Sequence, residues 1–503
     1  MNRRLKNGWP IMVLVAMVLV MLPAVAGALI VGDTGTLSGA TRTFNFTAKD
    51  GRIIMGDGET AYIWGFASAT AINAAICPAG NCVQYPGPTM IVNQGETVVV
   101  NLTNNIPTLP GNLPQNTSIL FPGQNVMASG GVFPAGALTR EAAAGGGNVT
   151  YTFTAANAGT YTYYSGTNLS LQNEMGLFGT IVVRPNNAGS AGCLFPSPAN
   201  PTAPNRGFAY CFPGAYYDRE YLITSSEMDP AMHRLVEFGQ MVLVDDTKRH
   251  PTAWFINGRN FPDTMSQDFA SWLPTQPYSA FPVMHPLESV LIRLVSGGRD
   301  LHPYHTHGQN HSVIARDGRF LKSSPAVAIS DMPISDYTTT TVAGETADMI
   351  YGPWTGFKLG WDIFGTPNSH TCNTSTAGCT PATCPAQGLI AFLGLGSAQW
   401  APGFDPRTGE WCGDHNKAFP VNQPAPSRLV FGPFYGGTPY LGIPGELPPI
   451  DVNTGNFHSY QNPLGGLQFM WHSHAERELT TNNIFIGGMA SLALIVPYTD
   501  VIP

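Results

Sequence analysis

Residues 287–308 read LESVLIRLVSGGRDLHPYHTHG. Glu288 leads into a β-branched and apolar run, a Gly-Gly turn follows, and three histidines close the stretch. Residues 94–105, QGETVVVNLTNN, open in the same way after Glu96. The likeness continues along the chain. The first copy runs through TSILFPG (117–123) and GTYTYYSG (159–166) to MGLFGTIVVRP (175–185). The second runs through LQFMWHSH (467–474) to GGMASLALIVP (487–497). Each copy has a β-branched strand after an acidic residue, an aromatic strand, a turn of Gly and Met, and an apolar strand stopped by proline. Short strands cut by turn residues at this spacing predict Greek-key β-sandwiches. The chain is therefore expected to be all-β, with two such domains descended from one duplicated unit.

The rest of the sequence fits that frame. Its 503 residues leave room for two cores. Gly occurs 56 times, Pro 43 times, and only 11% of residues are charged, which suits strands and turns rather than helical bundles. A net charge of −8 without Lys/Arg runs argues against a nucleic-acid partner. Domain 1 is expected at about 41–185 and domain 2 at 217–500, joined by a Pro/Gly/Ser-rich linker over 186–216. An insertion at about 353–428 interrupts domain 2.

Arg3, Arg4 and Lys6, the apolar run from Ile11 to Leu22, and the small residues Ala24-Val25-Ala26 predict a signal peptide over 1–26. An uncleaved anchor is the alternative reading. No later run is long enough to span a bilayer, so the expectation is an exported protein without a transmembrane domain, in the periplasm, at the cell surface or outside the cell. The even count of eight cysteines suits disulfides in that compartment. Cys77 with Cys82 and Cys193 with Cys211 are local pairs. Cys372, Cys379, Cys384 and Cys412 share the insertion, and their connectivity stays open.

Six of the twelve histidines fall in two short segments: His302, His305, His307 and His311, then His472 and His474. On a strand, residues i and i+2 share a face. His305 with His307, and His472 with His474, can each present two imidazoles to one side. If the two strands pair, four imidazoles converge, a donor set that suits Cu, Zn, Fe or Ni. One such pair alone reads as ordinary polar surface; two pairs point to a metal held by His305, His307, His472 and His474. His302 and His311 read as polar residues at strand ends. Glu476 and Glu478 read as solvated, without a ligand role.

These motifs resemble those of the multicopper oxidases, which are built of cupredoxin domains. LHPYHTHG is similar to the family's His-Pro-x-His-x-His-Gly, and WHSH to its His-Cys-His segment. TSILFPG aligns with Thr-Ser-Ile-His-Trp-His-Gly, and GTYTYYSG with Gly-Thr-Tyr-x-Tyr-His-Ser-His. INGRNFPDT (256–264) and VAGETADMI (342–350) are also similar to family segments. The resemblance implies copper as cofactor and oxidoreductase chemistry on a small-molecule or metal substrate. Two-domain members often form trimers, so it also implies a homotrimer.

The departures are as informative. Ser473 stands where the family has the cysteine of its blue, type 1 copper. Glu478 and Asn483 stand where the resemblance places that site's second histidine and axial methionine, leaving His302 alone. In domain 1, Leu120, Pro122, Tyr164 and Gly166 replace all four histidines of the family's trinuclear cluster. A blue centre is not expected, and the four remaining histidines could hold one copper well or two poorly. Leu120, Pro122 and Tyr164 are expected to form a dry wall beside them. Three functions follow from this pattern: a redox enzyme working at one copper, a non-catalytic copper-binding or storage protein, or a structural cupredoxin module.

Overall fold

The computed structural model describes residues 30–70, 77, 81–186, 207–285, 288–352, 404–405, 410–411, 467–495 and 502. The signal peptide, Cys193 with most of the linker, and nearly all of the insertion with its four cysteines lie outside the described residues. The architecture is all-β, as the duplicated pattern predicts. Among the described residues the α-helices are two short ones, Leu169–Glu174 and Pro230–Glu237.

One pair of sheets comes from residues 36–184. The strand Thr41–Ile54 lies antiparallel to Thr60–Ser68 and parallel to Thr97–Asn104, which pairs in turn with Asn148–Thr154. Burial alternates residue by residue along Thr97–Asn104 and Asn148–Thr154, as the two-residue period of a half-buried strand requires. The inward side chains include Phe44, Phe46, Val98, Val100, Tyr151 and Phe153. A three-stranded sheet covers them, with Phe178–Arg184 between parallel Met90–Asn93 and antiparallel Gly159–Tyr164.

The second pair, from residues 219–495, repeats this plan. Arg219–Met228 lies parallel to Val290–Ser296, as Thr41–Ile54 does to Thr97–Asn104. In the facing sheet Ala490–Ile495 lies between parallel Val283–Met284 and antiparallel Leu467–Ser473. That sheet continues through His302–Thr306 to Thr338–Thr341. The acidic residue that opens each copy has one job in both. Glu96 takes two hydrogen bonds from Arg42 at 2.5 and 2.7 Å, and Glu288 two from Arg219 at 2.6 and 3.2 Å. Each arginine sits on the parallel neighbour, so the pair staples the two strands of the crossover.

The two pairs of sheets meet along Gly159–Tyr164. Thr160 donates to Asp348 at 2.5 Å and accepts from the fully buried Arg293 at 2.9 Å. Thr346 donates to the Thr160 carbonyl at 2.7 Å. Below this seam Tyr85 makes edge-on ring contacts with Phe178 and Phe255, closing an apolar cluster shared by both halves. Gly297 is required here, because a Cβ would come 2.5 Å from the Phe178 ring.

Candidate metal centre

His302–Thr306 and Leu467–Ser473 are antiparallel neighbours, with His305 opposite His472 and Tyr304 opposite Ser473. The pleat sorts their side chains. His302, Tyr304, Thr306 and Ser473 are buried, while His305 and His307 are half-buried on the other face. His307 follows the strand end and is anchored through its carbonyl, which accepts from Trp471 Nε1 at 3.2 Å and Tyr351 Oη at 3.1 Å.

Ligand atoms of His305, His307 and His472 all lie within 4.8 Å of one another. The Nε2 atoms of His307 and His472 are 3.1 Å apart. The exposed His474 stands at the rim, its ring centroid 4.8 Å from that of His305 and 5.9 Å from that of His472. The strand pairing thus gathers all four predicted imidazoles, three of them into one tight set.

Hydrogen bonds hold the rings. His305 Nδ1 lies 2.7 Å from Thr338 Oγ1, and His472 Nδ1 lies 2.6 Å from the Ser473 carbonyl. A carbonyl only accepts, so His472 carries its proton on Nδ1 and turns the Nε2 lone pair toward His307. Burial, with the like charge of neighbouring imidazoles, pushes His305 down to about 4 and His472 to about 3. Both are neutral at pH 7, the form in which imidazole binds a metal.

His311 is a satisfied core residue, lying 2.9 Å from Thr306 Oγ1 and 2.8 Å from Thr339 Oγ1. His302 and Glu478 depart from the sequence reading. Glu478 is 8% exposed rather than solvated. Its Oε2 lies 3.0 Å from His302 Nδ1 and accepts from Ser473 Oγ at 2.5 Å. On its other side His302 Nε2 lies 2.9 Å from Glu227 Oε2. Glu227 sits in LITSSEM, 75 positions before His302 in the sequence, and nothing local marks it as a partner. Glu476 is exposed, and Asn483 lies in an exposed turn with φ +68°.

Two residues of the expected wall, Leu120 and Tyr164, pack against other neighbours. Leu120 and Tyr164 exchange backbone hydrogen bonds at 2.8 and 3.2 Å, and Leu120 fills the space over Gly166. Tyr164 lines a cavity of about 120 Å³ with Phe178, Gly297, Gly298, Ala343 and Gly344, and none of the four histidines lines it. The reason is the docking of Gly159–Tyr164 on Val290–Ser296 and Thr346–Tyr351. Those strands belong to the nine-stranded sheet, whereas the histidines sit on the five-stranded one.

A family model described as multicopper oxidase matches residues 80–188. Over 105 residues the chain is 33% identical to laccase abr2 of Aspergillus fumigatus, covering 20% of this chain and 16% of that one. It is 34% identical over 105 residues to multicopper oxidase MCE of Talaromyces pinophilus, covering 20% and 15%. The match thus spans about a sixth of those relatives' length. Among solved structures, the blue copper oxidase from Nitrosomonas europaea aligns with 90% of this chain and 86% of its own, at 17% identity and a TM-score of 0.46. The multicopper oxidase mgLAC aligns over 92% and 88%, at 15% identity and a TM-score of 0.44. Copper is the cofactor of such proteins. Residues 80–188 of this chain thus match the multicopper oxidase family, and the histidine motifs of the second half resemble segments of the same family.

Proposed function

We propose that this protein binds a single copper at a reduced site, held by His305, His307 and His472 with His474 at its rim. The observation that carries the reading is the convergence of three imidazole ligand atoms within 4.8 Å. The donor set fits the metal. Three imidazoles suit copper, and the contacts to Thr338 and the Ser473 carbonyl hold two of the rings as ligand-orienting groups do. Bound copper would supply a one-electron redox centre open to a small molecule or a metal ion. A division at 41–185 and 217–500, export after removal of residues 1–26, and a homotrimer belong to the same proposal. Among the described residues no helix is long and apolar enough to cross a membrane.

A second reading is copper binding without turnover. It is favoured by the bonding of Ser473 and His302 to glutamates, which leaves no thiolate route for electrons. Metal analysis and EPR of copper-loaded protein test the site. About one copper per chain, with nitrogen hyperfine structure, is expected for imidazole ligation. His307→Ala with His472→Ala should remove it, and unchanged stoichiometry in that variant overturns the assignment. Oxidase assays on the loaded protein then separate an enzyme from a binding protein.

A further inference from the structure

On the buried face of the strand pair that carries the histidine set, His302 lies between two carboxylates. Glu227 Oε2 is 2.9 Å from Nε2 and Glu478 Oε2 is 3.0 Å from Nδ1. The oxygens stand on opposite edges of the ring, so the three side chains do not converge on a common point as a chelate would. Proton counting then decides the state. A neutral imidazole has one N–H and one lone pair, and the lone pair would face a carboxylate oxygen at hydrogen-bond distance. Both contacts become favourable when both ring nitrogens carry a proton.

The surroundings of Glu227 keep its carboxylate ionised. Glu227 Oε1 accepts from the backbone N–H of Arg299 at 2.7 Å and of Asp300 at 3.0 Å, and from the Arg249 guanidinium. Gly298 makes this approach achievable, since a Cβ there would overlap Glu227 Oε2. Glu478 takes the Ser473 hydroxyl. Further out, Arg249 also meets Glu174 and Asp300, and Arg299 meets Glu174 and Asp246.

We propose that the position which the family resemblance assigns to the type 1 copper is a proton site in this protein: His302 is held as an imidazolium between Glu227 and Glu478. A fixed cation replaces the metal, and the Ser473 hydroxyl occupies the place of its thiolate. The position is silent in redox chemistry. It ties the two strands that carry the histidine set to Arg219–Met228 by charge. Burial opposes the charge on His302, but the two glutamates outweigh it and raise the imidazole to about 9. Its folded value lies above the ordinary 6.5. The triad therefore stabilises the fold fully below about pH 6.5, and that contribution fades as pH rises through about 9.

The test uses the metal-free full chain with ¹⁵N-labelled histidine. At pH 7.5 one histidine should show both ring nitrogens protonated and should lose that state only in alkaline solution. Glu478→Gln, which keeps the shape and removes the charge, should make that signal titrate at lower pH. It should also flatten the fall in melting temperature between pH 7 and 10. His302→Gln should delete the signal; if that variant does not fold, the response to Glu478→Gln assigns it. One equivalent of Zn(II) should leave the signal in place. Absence of any doubly protonated histidine at pH 7.5 overturns the proposal, and so does loss of that protonation on adding Zn(II). Failure of Zn(II) to shift any other histidine would count against the copper reading alone, since the proton on His302 is read without metal.

Discussion

Ser473 is one atom type away from a blue copper ligand, and that atom decides the spectrum. A hydroxyl already donating to Glu478 cannot replace a thiolate. Copper-loaded protein is expected to lack the intense absorption near about 600 nm that Cu–thiolate bonding produces; a strong blue band would mean that another cysteine binds the metal. Ser473→Cys by itself should stay colourless, because both ring nitrogens of His302 face glutamates. Thr338 acts at the same scale. Its hydroxyl meets His305 Nδ1, so Thr338→Val should weaken copper binding about 10-fold or more while the circular dichroism is unchanged. A competition titration against a chelator reads that loss directly.

Strands set where these residues can act. The pleat of His302–Thr306 turns His302 to the core and His305 outward, so one strand pair serves two sites on opposite faces. The crossover staples belong to this scale too. Burial pushes Glu96 and Glu288 up, but Arg42 with Asn93 beside Glu96, and His285 with Arg219 beside Glu288, outweigh it and bring both down to about 2. The folded value lies below the ordinary 4.5, so each pair stabilises above about pH 4.5 and that contribution is lost as pH falls through about 2. Glu96→Ala should cost about 1.5–3 kcal/mol near neutrality, in the range of a charged hydrogen bond. Its difference from wild type should shrink in urea melts taken toward pH 2; a constant difference would remove the electrostatic account.

Across the whole molecule, the seam between the two halves rests on buried charge. Arg293 meets Glu220 at 2.6 Å and Thr160 at 2.9 Å, and Asp348 accepts from Thr160 and Tyr210. Asp348→Ala takes a partner from a fully buried network and should destabilise by about 3–5 kcal/mol, the cost of stranding buried charge. Thermal unfolding of that variant should also split into two transitions, since the seam couples the halves together with the apolar cluster around Tyr85; a single sharp transition at the wild-type temperature would refute this role. Cysteines give a second check. Cys77 and Cys82 are bonded, Cys211 is in a disulfide, and no described cysteine is free. Mass measurement after non-reducing alkylation should find no labelled thiol.

The all-β architecture, the duplication and the four imidazoles were legible in local pattern. Strand periodicity and His-x-His spacing are short-range properties, and a two-residue period places both rings of a pair on one side of the strand. The departures at Ser473, Tyr164 and Leu120 could also be read one position at a time. What filled those departures could not. Glu227 meets His302 across 75 positions and Glu478 meets it across 176, with no motif joining them. Glu478 reads as solvated in a polar segment and becomes buried only when its turn folds over Ser473. Tyr164 was expected beside the histidines, yet the docking of its strand on the other sheet carried it to Gly344. Sequence alone determined which residues were available to bind. The packing of strands distant in the chain decided which of them meet, because burial and charge pairing are set by neighbours in space.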